Sequence, residues 1–376
     1  MSRFKTLIAA VSLMALALTG VISTAAASRP NHSHGLFPVT IRDDTGTSVT
    51  IPRLPKRIIS LDPRDTETLF ALNLERRIVA DGGQYDEGAF CCAKTFKYPG
   101  QWPSPWGLNY PARSHTLPHI EGGYDAAHPF DVEKVEAARP DLVLALNSDA
   151  DGIQKMRSLG LKVVVLDPRT FAHIEYDIKL VGRITGNIHQ ASVVLANIGR
   201  RLIAVEIALA RVRARPRVFY EIDDSTGTPY TACAGSFIDE MLSIAKATNV
   251  AHNVTPCPSS DPYPQMQTEA LLAANPQYVL LGDSNYGVTP AQVKSRNGWQ
   301  TIDAVKNNRI YGIDDDLISR AGPREIIGLE DVARRLHPKA MAATRRALNV
   351  DGQEAKVKDR WSRAEGRRSV GRSVRP

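Results

Sequence analysis

Arg64 in "SLDPRDTETL" and Arg320 in "ISRAGPR" each stand between an apolar run that reads as a buried strand and a helical pattern. A guanidinium there can grip a carboxylate or a catecholate through two parallel hydrogen bonds. The competing use is a surface ion pair, to which Asp65 or Asp316 could contribute. Arg324 follows Pro323, a residue suited to a first helical turn, and is expected inside the helix, facing solvent or a neighbouring acid. Tyr230 in "TPYTACAG" and Tyr263 in "DPYPQMQ" offer flat apolar faces with a polar rim, with Tyr85, Tyr110 and Tyr124 as weaker candidates. Ordinary packing is the alternative for these tyrosines, and Trp102 and Trp106 either cap a site or pack their own segment. The four cysteines, Cys91, Cys92, Cys233 and Cys257, allow three pairings, with Cys233–Cys257 as a candidate loop staple. His32 and His34 form an H-x-H pair without a nearby carboxylate or cysteine, and no metal site is expected from them. No zincin motif, nucleophile elbow, Walker loop or dinucleotide fingerprint occurs, so no nucleophile is offered with a base and no catalytic role is expected.

The elements that must position these residues emerge from an internal repeat. "FDVEKVEAARPDLVLAL" (130–146) and "MQTEALLAANPQYVLLG" (266–282) match at an offset of 136, aligning Glu133 with Glu269 and Pro140 with Pro276. Each is a short helix, a proline that ends it, and a buried strand. "KVVVLD" (162–167) faces "RIYGID" (309–314), and "PKRIISLD" (55–62) faces "RPRVFYEI" (215–222). Apolar β-rich runs alternating with helical patterns indicate an α/β fold on mainly parallel sheets. Two similar lobes are expected at 39–168 and 216–338, with a helical linker over 169–215. Within the linker, apolar residues from Ile188 to Val212 recur at helical spacing, predicting one long rigid helix of roughly 39 Å. Ligands of open α/β sheets sit beyond the carboxyl ends of strands, so Arg64 and Arg320 should reach a common cleft.

The ends carry the charge. The net charge of +7 resides in Arg3, Lys5 and a basic tail, leaving residues 6–352 neutral overall. A nucleic-acid-binding face on the folded body is therefore not expected. Arg3 and Lys5, the apolar run Leu7–Ile22 and Ala25-Ala26-Ala27 predict a signal peptide over 1–27, followed by a leader over 28–38. The protein is then periplasmic or secreted, and soluble after cleavage. The segment 339–376 is expected to be a basic, disordered tail.

Taken together, "VTIRDDTGTSVTIPRLPKRIISLDPRDTETLFALN", "FDVEKVEAARPDLVLAL", "PYTACAGSFIDEML", "PYPQMQTEALLAANPQYVLL" and "DDDLISRAGPREIIGLEDVARRLHP" resemble the periplasmic binding proteins of iron-siderophore, haem and vitamin B12 ABC importers. The resemblance covers nearly all of 39–338. It implies two lobes bridged by a rigid helix, with an iron chelate or a cobalamin held between them and no cofactor of the protein's own. It places aromatics at Tyr230 and Tyr263 against the cleft, and it makes Glu133 and Glu269 the acids that pair with permease arginines. Without the resemblance, both would read as first-turn acids stabilised by the helix dipole. The partners implied are the permease and ATPase subunits, with membrane contact only through the permease. The segment from Tyr85 to His119 departs from the family pattern, being longer and rich in Pro, Gly, Trp and Tyr. Iron chelates stand slightly ahead of corrinoids as cargo. A secreted α/β enzyme on the same scaffold, or a direct metal-ion binder with clustered His, Glu and Asp, are the rival readings.

Overall fold

A computed structural model describes residues 36–82, 117–123, 128–258 and 262–347. The chain opens with a hairpin, β1 (Val39–Arg42) and β2 (Ser48–Ile51), whose residues alternate buried and exposed as one-sided antiparallel strands do. Asp43 Oδ1 accepts from the amides of Thr45 and Thr47 and so shapes the turn between them.

The first lobe continues through β3 (Ile58–Ser60), α1 (Pro63–Ala71), β4 (Ile78–Gly82), β5 (His119–Ile120), α2 (Val132–Ala137), β6 (Leu142–Ala145), α3 (Ala150–Ser158) and β7 (Val163–Val165). Its five strands lie parallel in the order β5-β4-β3-β6-β7. Two helices follow, α4 (Phe171–Ile184) and α5 (Ile188–Leu209). The second lobe comprises β8 (Arg217–Glu221), α6 (Phe237–Ile244), β9 (Thr248–Asn249), α7 (Thr268–Ala274), β10 (Tyr278–Leu281), α8 (Pro290–Ser295), α9 (Asp303–Lys306), β11 (Ile310–Gly312), α10 (Glu325–Leu336) and α11 (Pro338–Ala347). Its four strands are parallel in the order β11-β10-β8-β9. The inner strand β6, "LVLA", and the edge strand β7, "VVV", are both buried along their whole length, as parallel strands covered on both faces are.

The repeat holds in register. Val143 pairs with Val163 as Val279 pairs with Ile310, and Ile58 pairs with Leu142 as Val218 pairs with Tyr278. Arg139 and Asn275, equivalent in the repeat, both adopt left-handed backbone before their prolines, with φ of 47° and 45°. Arg57 Nη2 bonds the carbonyl of Ala138, and Arg217 Nε that of Asn275, so each lobe clamps this turn with an arginine from its first repeat strand.

Two expectations change. The linker helix ends at Leu209, so its 22 residues reach about 33 Å. The basic tail does not begin disordered, because Pro338–Ala347 form α11, which packs its Ala340 and Met341 against the apolar core. Apolar side chains at its start, packed against the cluster that α5 shares, outweigh the basic composition. The core itself has three parts. One cluster covers one face of each sheet and runs from Ile58 and Leu142 through Ile198 and Val205 of α5 to Val218 and Leu329. The outer face of each sheet has its own cluster, around Val143 and Met156 in the first lobe and around Val279 and Trp299 in the second. No helix among the described residues is long and apolar enough to cross a membrane.

Candidate functional site

The loop after β3 and the loop after β11 meet. In the first lobe, Asp62 caps α1, accepting from the amide of Arg64 at 2.8 Å. In the second, Asp314–Arg324 follow the carboxyl end of β11 and lead into α10. A Cβ at Gly322 would stand 3.3 Å from Glu67 Oε2 and 3.7 Å from the carbonyl of Arg64, so the second loop lies directly against the start of α1. A side chain at 322 would therefore crowd this junction.

Arg324 departs from expectation. It is the N-cap of α10 and buried, and its Nε donates to Glu67 Oε1 at 2.9 Å, with a second bond from Nη2 to the same oxygen. The acid it faces belongs to the other lobe. Burial pushes the Glu67 carboxyl up, and Arg324 opposes that shift.

Arg64 and Arg320 also stand at this junction, as their place after strands predicts. Arg64 Nε donates to Asp62 Oδ1 at 2.8 Å, so its carboxylate is Asp62 and not Asp65, whose Oδ2 is buried without a hydrogen-bond partner. Burial disfavours the Arg64 cation, but Asp62, Asp65 and Asp167 outweigh it and hold the group above the ordinary arginine value. Arg320 pairs with Asp316 at 2.9 Å. Asp315, in the same loop, is pushed up to about 6 by burial, although Ser319 bonds it.

Tyr263 lies close enough to Arg64 and Arg169 to feel both charges, and burial raises its phenol well above the ordinary range. Its ring meets Phe237 edge to face at 6.5 Å. Tyr230 is half-buried, bridging Asp223 and Gln265 through its backbone. Cys233 and Cys257 are joined by a disulfide that staples the segment leading to Tyr263. Glu133 and Glu269 are exposed at the second position of the equivalent helices α2 and α7. Neither carboxylate has an ion-pair partner among the described residues. Tyr85, Tyr110, Tyr124, Trp102, Trp106, Cys91, Cys92, His32 and His34 lie outside the described residues, as does the stretch 1–27.

Sequence reasoning missed four residues here. Arg169 follows β7 just as Arg64 follows β3, and the same rule would have found it. Glu67 and Glu325 are helix acids whose burial carries no sequence signature. Glu240 of the second lobe accepts the amide of Phe171 at 2.8 Å, at the start of α4. Burial, with Glu240 nearby, pushes Glu325 well above the ordinary carboxyl range. The junction is thus a floor of tyrosine, buried carboxyls and arginines already matched to acids.

Known proteins share this architecture. Residues 99–317 match the model of a family described as periplasmic binding protein. The chain is 29% identical over 83% of its length to the uncharacterised ABC transporter substrate-binding lipoprotein YvrC of Bacillus subtilis (strain 168), covering 89% of that protein. It is 26% identical over 89% of its length to the cobalamin-binding protein of Halobacterium salinarum, covering 85% of it. Among solved structures, it is similar to a possible iron-binding (periplasmic solute-binding) protein of Staphylococcus epidermidis, with TM-score 0.56 and 25% identity, covering 76% of this chain and all of that one.

Proposed function

The chain belongs to the periplasmic binding protein family, and from that premise we propose that it is an extracytoplasmic solute-binding protein that takes a corrinoid between its lobes and delivers it to an ABC permease. The observation that carries the ligand class is the pairing of Arg64 with Asp62 and of Arg320 with Asp316. An anionic ferric siderophore would have to displace those carboxylates and would then face the buried acids Asp65 and Glu325. A corrinoid needs less cationic charge and more apolar surface, which Tyr263 and Tyr230 supply. The cobalamin-binding relative supports the same choice. Iron chelates therefore move to second place.

The amino-terminal stretch is the export signal in this reading, and the mature protein is soluble. Glu133 and Glu269 present matching carboxylates at equivalent helix starts, a spacing fixed by the repeat. Exposed charges of this kind steer encounter and set register on a permease. Intrinsic fluorescence of the purified mature protein, titrated with cyanocobalamin, haemin and a ferric hydroxamate, tests the ligand. Saturable binding of cyanocobalamin is the expected outcome, and binding of the hydroxamate without cyanocobalamin would overturn the choice. Glu133→Ala combined with Glu269→Ala should abolish uptake and leave ligand affinity intact. Undiminished uptake would end the docking assignment.

A further inference from the structure

His173 and Asp177 stand one turn apart on α4, so their side chains share a face. Asp44, in the turn of the β1–β2 hairpin, completes a trio: one ligand atom from each of Asp44, His173 and Asp177 lies within 4.8 Å of the others. His173 Nε2 is 3.0 Å from Asp44 Oδ1 and 3.9 Å from Asp177 Oδ1. The trio is held from outside. Asp44 Oδ2 accepts the amide of Asp167 at 2.6 Å, and Thr170 caps α4 by accepting the amide of His173.

Two further observations point to an occupant. Asp177 is only 5% exposed, and neither of its carboxylate oxygens has a hydrogen-bond partner, although both are buried beside the other two ligands. A buried carboxylate left so is costly unless something pairs with it. Charge also runs one way, since Asp65 and Asp167 add negative charge around Asp177 and Arg64, the cation that opposes them, is already bonded to Asp62. The rival arrangement, in which His173 simply bonds Asp44, satisfies two members and leaves Asp177 unmatched.

We propose that Asp44, His173 and Asp177 form a binding site for a divalent first-row transition cation such as Zn2+. An imidazole nitrogen with two carboxylates suits such metals better than Mg2+ or Ca2+, which prefer oxygen alone. Bonds of about 2.0–2.2 Å to zinc place neighbouring ligand atoms roughly 3.3 Å apart, so the trio closes by small side-chain rotations. The cation replaces the proton between His173 and Asp44 and bonds the buried oxygens of Asp177. Three protein ligands leave a fourth position for water. Asp167, whose amide holds Asp44, orients that ligand from behind. The hairpin, the loop after β7 and α4 are then tied at one point.

The test titrates Zn2+ into metal-stripped full-length mature protein by calorimetry, with Asp177→Asn, His173→Gln and Asp44→Asn alongside. His252→Ala, which removes an exposed histidine paired with Asp239, is the control. One site is expected in the wild type and in the control. Each ligand substitution should weaken binding by at least about tenfold, the lower bound seen even for outer partners of a metal ligand. Visible absorption of the Co2+ form should change in His173→Gln, which reports imidazole ligation. Asp177→Asn keeps side-chain shape, so it carries the test if a histidine variant folds poorly. Absence of Zn2+ binding by the wild type, or wild-type affinity in Asp177→Asn, would overturn the site.

Discussion

The two lobes place the same helix, left-handed turn and strand in the same sheet register, yet they bury charge differently. In the second lobe, Glu221 ends β8 and is gripped by Arg296, which also reaches Asp224 at 3.0 Å. Asp283 follows β10 beside them and is pushed up to about 8 by burial and by Glu221. The repeat aligns these positions with Leu61 and Asn147 of the first lobe, which carry no charge. That lobe sets its charges further on, at Asp62 and Arg64, which pair with each other, and at Glu67, which pairs with Arg324 of the other lobe. At these strand ends the second lobe therefore closes its acid internally on Arg296, and the first sends Glu67 across to Arg324. Position along the strand end, more than composition, decides which.

The comparison breaks most sharply at the pair that crosses it. Arg324→Ala should cost about 3–5 kcal/mol in urea unfolding, because Glu67 is left buried and unpaired. Changing both residues to Met should recover most of that loss, and a double variant as unstable as the single one would show that the pair is not the cause. Next comes the staple that only the second lobe is described as having. Reducing Cys233–Cys257, 24 residues apart, should cost about 3 kcal/mol in chain entropy, read as a lower denaturant midpoint.

The internally closed acids should show in the pH dependence. Asp283 binds its proton more tightly folded than unfolded, so its contribution is complete below about pH 4 and is lost as pH rises to about 8. The slope is at most about 1.4 kcal/mol per pH unit, and Asp283→Asn should flatten it. An unchanged profile would remove Asp283 from the account. The smallest effect tests what the lobes share. Arg57→Ala and Arg217→Ala each remove a clamp on the left-handed turn and should each cost about 1 kcal/mol in thermal unfolding. A large difference between them would mean that the two turns are not equivalent.

Most of the fold was legible. Buried parallel strands are unbroken apolar runs, and a proline after each repeat helix fixed where β6 and β10 begin, so the alignment carried over into register without slip. The lobes, the linker helix and the placing of Arg64 and Arg320 followed from the same pattern. The site was legible only in part. Arg324 was expected inside α10, facing solvent or a neighbouring acid, whereas it is the N-cap and its acid, Glu67, comes from the other lobe, which no local pattern shows. The partner of Arg64 was misjudged because both Asp62 and Asp65 were adjacent, and cap geometry chose between them. His173 and Asp177 show the spacing of one helix face, but Asp44 lies 129 residues before His173 and only folding brings it there. Buried carboxyls such as Asp283 and Glu325 look like surface acids in a sequence.

The cluster threading α5 has a further consequence. Ile198, Val205 and Leu209 belong to the same apolar body as Ile58 of one sheet and Val218 of the other, so the helix is a common wall and not a tether. Neither lobe can melt without stripping that wall and exposing its neighbour's inner face. Cooperativity should therefore span the described body: one transition, with no half-folded species at its midpoint. A chain cut at Gly186 would leave the first lobe without α5 and hand the whole wall to the second.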